Sequence, residues 1–171
     1  MASLIENLIT TLNKEVDEYE KLLELSKKKS AVIGTKEIAA LEKITDEEQV
    51  VVSRVQALDA KREEVTRDIA DVLNKDVESL KLSVLIELLS KTPNEQKALM
   101  EVHDRLSTVV SAVRTLNESN RQLIEQSLEM VEFDLNMMRS IRQAPATNNY
   151  GRGAMNVGGT LGSVGGFDAK Q

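Results

Sequence analysis

The sequence predicts an all-α protein: an elongated antiparallel helical bundle or coiled coil, with a long C-terminal helix and a flexible Gly-rich tail. Three observations carry this. Seven of the eight Gly and one of the two Pro lie beyond residue 142, so only Gly34 and Pro93 interrupt the preceding body of this 171-residue chain. Ordinary chains carry roughly 12% Gly plus Pro, and a body so depleted in breakers is helical or unfolded. Apolar residues recur through it at three- and four-residue spacing, the period of one helix face. Finally, Ser3/Glu6, Thr45/Glu48 and Thr92/Glu95 each show the spacing at which a hydroxyl and a carboxylate satisfy orphan groups at a helix start. Residues 1–142 are therefore expected to form one helical domain and residues 143–171 a disordered tail.

The first helix is expected from Ser3, with Leu4, Ile5, Leu8, Ile9, Leu12, Val16, Tyr19, Leu22 and Leu23 on one face. It is expected to end near Lys29, where Lys27, Lys28 and Lys29 complement the negative end of a helix dipole. A looser stretch through Gly34 and Thr35 then leads to a short helical segment around Ile38, Leu41 and Ile44. The second long helix is expected from Thr45, turning Val51, Val52, Val55, Leu58, Val65, Ile69, Val72 and Leu73 inward. Arg62 interrupts that stripe, and its aliphatic stem can lie along the apolar face while the charge reaches outward. Val77 to Lys91 reads as a short, densely apolar helix capped by Ser83 that plugs one end of the bundle.

From Pro93 to about Arg142 nothing breaks the pattern, and a single helix would run roughly 75 Å at about 1.5 Å per residue. Pro93 suits its first turn because the missing N–H would have no partner there. Leu99, Val102, Leu106, Val109, Val113, Leu116, Asn120 and Leu123 step by three and four as a coiled-coil seam. Asn120 is polar within it, a residue that sets register or partner choice unless it merely sits half-exposed on the surface. The seam then shifts by one residue and continues as Ile124, Leu128, Val131, Leu135 and Met138, a stutter that locally unwinds a supercoil.

Composition excludes several kinds of function. The chain has no Cys and a single His, so disulfides, thiol nucleophiles and thiolate zinc sites are absent and most triads cannot be assembled. The residue three before His103 is Met100, not the Glu a di-iron helix needs, so His103 reads as a helix-surface residue. No catalytic, cofactor or metal residue is expected. A net charge of −6 opposes binding to phosphate backbones, and Tyr19, Phe133, Tyr150 and Phe167 are too scattered to stack bases. No apolar run approaches the roughly 20 residues that span a bilayer, and the N-terminus lacks a basic signal-peptide flank. A cytoplasmic protein without nucleic-acid partners or stable membrane insertion is expected.

The end of the long helix is different in kind. Projected at about 100° per residue with Ile124 at the origin, the seam residues from Ile124 to Met138 fall within about 40° of it. Leu123, Met130, Phe133, Met137 and Ile141 fall about 100° to 180° away and make a second apolar stripe. Two apolar faces need two covers. Methionine and phenylalanine supply adaptable contacts suited to amphipathic partner helices. Helices of the same chain, or a homo-oligomer mate, are equally consistent with periodicity. The tail, although Gly-rich, carries Tyr150, Met155, Val157, Leu161, Val164 and Phe167, which suit docking on something rather than serving only as a spacer.

Particular segments also resemble a known family. Ala40-Leu41-Glu42-Lys43-Ile44-Thr45-Asp46-Glu47-Glu48-Gln49, Leu85-Ile86-Glu87-Leu88-Leu89, the Asn-containing run from Leu116 to Glu129, Asn149-Tyr150-Gly151 and Phe167-Asp168-Ala169-Lys170 are similar to the FlgN family. That resemblance implies a cytoplasmic type III export chaperone of the bacterial flagellum. Its partners would be the hook-associated proteins FlgK and FlgL, bound through their C-terminal helices, and the flagellar export apparatus. The family's C-terminal amphipathic region, associated with substrate capture, corresponds to Leu123, Met130, Phe133, Met137 and Ile141. The other reading is a structural coiled-coil oligomer or adaptor whose second stripe is a permanent interface.

Overall fold

The computed structural model describes residues 1–143. Among these there is no strand, and the elements are α1 (Ala2–Thr35), α2 (Ile38–Leu73), α3 (Leu82–Leu88) and α4 (Pro93–Gln143). Single 3-10 turns at Val77–Ser79 and Leu89–Lys91 flank α3. Gln143, expected to open the tail, is instead the last residue of α4, and the remainder of the tail expectation lies outside the described residues. The chain divides into two compact units, Met1–Ser127 and one beginning at Leu128.

The first unit is an up-down-up arrangement. A two-residue link, Lys36 and Glu37, joins α1 to α2, so the chain reverses at once. Cross-helix pairs show the direction: Lys29 meets Glu48, Glu18 meets Arg54 and Glu15 meets Arg62, with numbers rising on one helix as they fall on the other. α4 runs parallel to α1, since Asn13 meets Arg105 and Ser26 meets Asn117. Ile5, Leu8, Leu12 and Val16 of α1 pack with Val65, Ile69 and Ala70 of α2 and with Leu99, Val102, Leu106 and Val109 of α4. Leu80, Leu85 and Leu89 from the α2–α4 connection complete the same cluster, which is the end plug that their density predicted. A second cluster of Leu22, Leu25, Ile44, Val51 and Val113 continues the core along the three helices. Full burial of one such aliphatic side chain contributes about 1.5–3 kcal/mol.

Several expected boundaries move. α1 continues past Lys29 to Thr35, because Ile33 is still buried and keeps the face in contact. The turn comes at Lys36, whose φ of 58° is left-handed, while Gly34 stays helical. The segment at Ile38 and the helix expected from Thr45 are one element, held together by buried Ile44 and Val51. Thr45 therefore caps nothing, and its hydroxyl donates to the Leu41 carbonyl at 2.9 Å, as Ser and Thr do inside helices. Ser3 is likewise internal, with Met1 at the cap and its carbonyl accepting from Leu4 and Ile5. Ser83 lies within α3, which Lys81 caps.

Thr92 and Pro93 stand where they were expected, with Pro93 first in α4 and the Thr92 carbonyl accepting from the Gln96 amide at 3.0 Å. The Thr92 hydroxyl turns back to the Leu89 carbonyl at 3.3 Å instead of capping the helix. Gln96 Nε2 donates to the Ile86 carbonyl at 2.9 Å and fastens the start of α4 to α3. α2 ends at Asn74 with φ 51°, a left-handed conformation that Asn tolerates, and Lys75 N–H reaches the Ala70 carbonyl at 3.0 Å.

Candidate binding surface

The surface is built from α4. Leu99, Val102, Leu106, Val109 and Val113 are buried in the first unit, and Leu116 is half-buried. Asn120 is 3% exposed, so it belongs to the interior and not to the surface. Its Nδ2 donates to the Ser26 carbonyl at 2.9 Å, and the Ser30 hydroxyl donates to its Oδ1. Around it, the fully buried Ser26 hydroxyl donates to Asn117 Oδ1 at 3.1 Å, and Lys29 pairs with Glu48 at 2.7 Å. This layer ties α1, α2 and α4 together beyond the last apolar cluster residue of α4, Val113. Such mutually satisfied polar groups fix register, because any slip would strand them away from water.

Past this layer the exposure reverses. Ile124 is half-buried and Leu123 is 38% exposed, both in the first unit. In the second unit Leu128, Met130, Val131, Phe133, Leu135, Met137, Met138 and Ile141 are all between 43% and 70% exposed. Both stripes of that stretch are therefore open, including Leu128, Val131, Leu135 and Met138, which continue the seam. Isolated apolar residues on a surface are ordinary, but stripes of exposed apolar residues at helical spacing mark an interaction site. Four of the eight are Met or Phe, which repack around differing partners at little cost.

The family model described as FlgN protein matches residues 1–158. The chain belongs to the FlgN family. FlgN proteins are flagellar export chaperones, so the open apolar helix stands in a protein whose work is holding other chains. No curated protein and no solved structure matches this FlgN chain significantly.

Among the described residues no group of three or more His, Asp or Glu side chains is placed to hold a metal ion. His103 Nδ1 lies 3.2 Å from the neighbouring Asp104 carboxylate, on the outside of α4. No described helix is long and apolar enough to cross a membrane. Lys27 pairs with Glu24 at 2.9 Å, and Lys27, Lys28 and Lys29, expected at the negative end of the helix dipole, all lie before the last turn of α1.

One arrangement was not anticipated. Glu15 is 2% exposed between the apolar residues of α1, and its Oε1 makes no hydrogen bond. Arg62, read as a stem lying along an apolar stripe, brings its Nε to 3.5 Å from that carboxylate and also pairs with Asp59. Burial pushes the Glu15 carboxyl above its ordinary range, Arg62 opposes this, and Asp59 adds to it. An Arg inside an apolar stripe was the available signal, because a half-buried cation there calls for an acid on the facing helix.

Proposed function

We propose that this FlgN chain captures hook-associated proteins of the FlgK and FlgL type through their C-terminal helices. The capture face is Leu123, Met130, Phe133, Met137 and Ile141. The exposure of this stripe, with Phe133 at 65% and Ile141 at 70%, is the observation that carries the reading. An amphipathic substrate helix laid on it buries its own apolar face, which otherwise self-associates. The chaperone acts in the cytoplasm, performs no chemistry, and gives its substrate up to the export apparatus. Interchangeable apolar contacts let two related substrates share one face.

The test is calorimetric titration of the full chain with the C-terminal segments of the cognate FlgK and FlgL, comparing wild type with Phe133→Asp and Met137→Asp. Each substitution is expected to weaken binding at least about tenfold, as removal of a central interface anchor does. Circular dichroism should stay unchanged, since both side chains are exposed. Undiminished affinity in both variants removes this face from the reading.

A further inference from the structure

Every methionine among the described residues stands on the outside. Met1, Met100, Met130, Met137 and Met138 are 46% to 58% exposed, whereas the buried apolar side chains are all Ile, Leu, Val or Ala. Met130, Met137 and Met138 fall together near the end of α4. Met130 lies three residues before Phe133 and Met137 four residues after it, so the two bracket that ring on the capture face, about 10 Å apart along the helix. Met138 belongs to the seam stripe, and Met100 to the part of α4 in the first unit. The chain has no Cys, so thioethers are its only oxidisable sulfur. Oxidation turns a flexible apolar methionine into a polar side chain. In a core that change breaks packing, but on an open face it alters only what the face can hold.

We propose that Met130 and Met137 make the capture face sensitive to oxidants: hydrogen peroxide converts them to sulfoxides, and substrate binding is lost while the bundle stays folded. This role rests on capture at the face the two residues occupy. In each conversion the sulfur lone pair attacks one peroxide oxygen, and an S–O bond forms as the O–O bond breaks. The departing hydroxide takes the proton of the transferred hydroxyl and leaves as water. Sulfur loses two electrons and the peroxide gains them. The new sulfoxide oxygen is a hydrogen-bond acceptor, and the apolar face of a substrate helix offers it no donor, so burying it there goes uncompensated. Return to the thioether takes two thiols, which leave as a disulfide with release of water, under a methionine sulfoxide reductase. Those thiols come from outside the chain, which has none.

The test is calorimetric titration of the full chain with the C-terminal segment of FlgK, before and after treatment with hydrogen peroxide that catalase then removes. Peptide mass spectrometry locates the sulfoxides. Treated wild type is expected to bind at least about tenfold more weakly, with unchanged circular dichroism, and to recover with reductase and dithiothreitol. Each variant is compared with its own untreated form. Met130→Leu/Met137→Leu should change less than about twofold on treatment, although its other methionines still oxidise. Met100→Leu/Met138→Leu/Met155→Leu should lose as much as wild type. Undiminished binding by wild type carrying both sulfoxides overturns the proposal, as does an equal loss in Met130→Leu/Met137→Leu or a treated chain that unfolds. So does a treated wild type in which Met100 is oxidised while Met130 and Met137 are not. An untreated wild type that leaves the segment unbound sinks the capture reading as well, whereas every other adverse result leaves that reading standing.

Discussion

Leu99 to Val113 and Leu128 to Ile141 belong to one helix and carry the same kind of side chain at the same spacing, yet the first stretch is buried and the second is open. Within the first unit, Leu99, Val102, Leu106, Val109 and Val113 belong to apolar clusters that also hold residues of α1 and α2. From Leu128 the same chemistry meets solvent among the described residues. Periodicity thus reports that a face wants a cover and is silent on whether the cover is the chain itself. Where it is not, the uncovered face is the functional candidate.

The contrast can be broken most sharply by truncating matched leucines. Leu99→Ala should destabilise the fold by about 3–5 kcal/mol in chemical denaturation, through lost burial and the cavity left behind. Leu135→Ala, the same chemistry on the open stretch, should stay within about 0.5 kcal/mol of wild type. Equal losses would mean that the second stretch is packed in solution. At the polar layer, Asn120→Ala removes the Nδ2 bond to the Ser26 carbonyl and the Oδ1 acceptor of Ser30, leaving the Ser30 hydroxyl its 3.1 Å bond to the Ser26 carbonyl, and should cost about 0.5–1.5 kcal/mol. Hydrogen exchange should then show faster opening near Ser26 and Ser30 in α1, while amides in the Ile5–Leu12 region keep their protection.

Glu15 sharpens the comparison electrostatically, because it is a charge placed on the buried side. Its folded pKa lies above the ordinary carboxylate value, so its contribution to stability is complete below that value and is lost as pH rises through the folded pKa. Glu15→Gln should therefore remove part of the fall in stability between acid and neutral pH and raise the thermal midpoint at pH 7. A pH profile parallel to wild type would show that Arg62 fully compensates the burial. The smallest expected effect is at Gly34, a helical residue with open space where a Cβ would point. Gly34→Ala should stabilise by roughly 0.5–1 kcal/mol by relieving the backbone entropy cost, and a loss instead would show that α1 ends before it.

Pro93, the seam from Leu99 to Val113 and the apolar density at Leu80, Leu85 and Leu89 were all legible, because each depends on short-range stereochemistry or a regular period. The Thr45/Glu48 spacing misled for a physical reason. A hydroxyl three residues before a carboxylate caps a helix only where the preceding backbone leaves helical geometry, and burial of Ile44 and Val51 keeps α2 continuous through that point. Glu48 instead pairs with Lys29 across the helices. Likewise Lys36, not Gly34, takes the left-handed turn, since α1 still buries Ile33 one residue before the glycine.

By itself, then, the sequence determined an all-helical body, the position of the last helix and the doubling of its apolar face, because helical period and breaker placement are local properties of the chain. Tertiary structure alone decided that Asn120 joins Ser26 and Ser30 in the interior, that Arg62 finds Glu15, and that both stripes past Leu128 stand open. Those outcomes rest on which surfaces meet across 47 to 94 residues of chain, as between Glu15 and Arg62 or Ser26 and Asn120. Contacts at such separations are settled by competition among packed faces, and no single helix's pattern encodes which face will win.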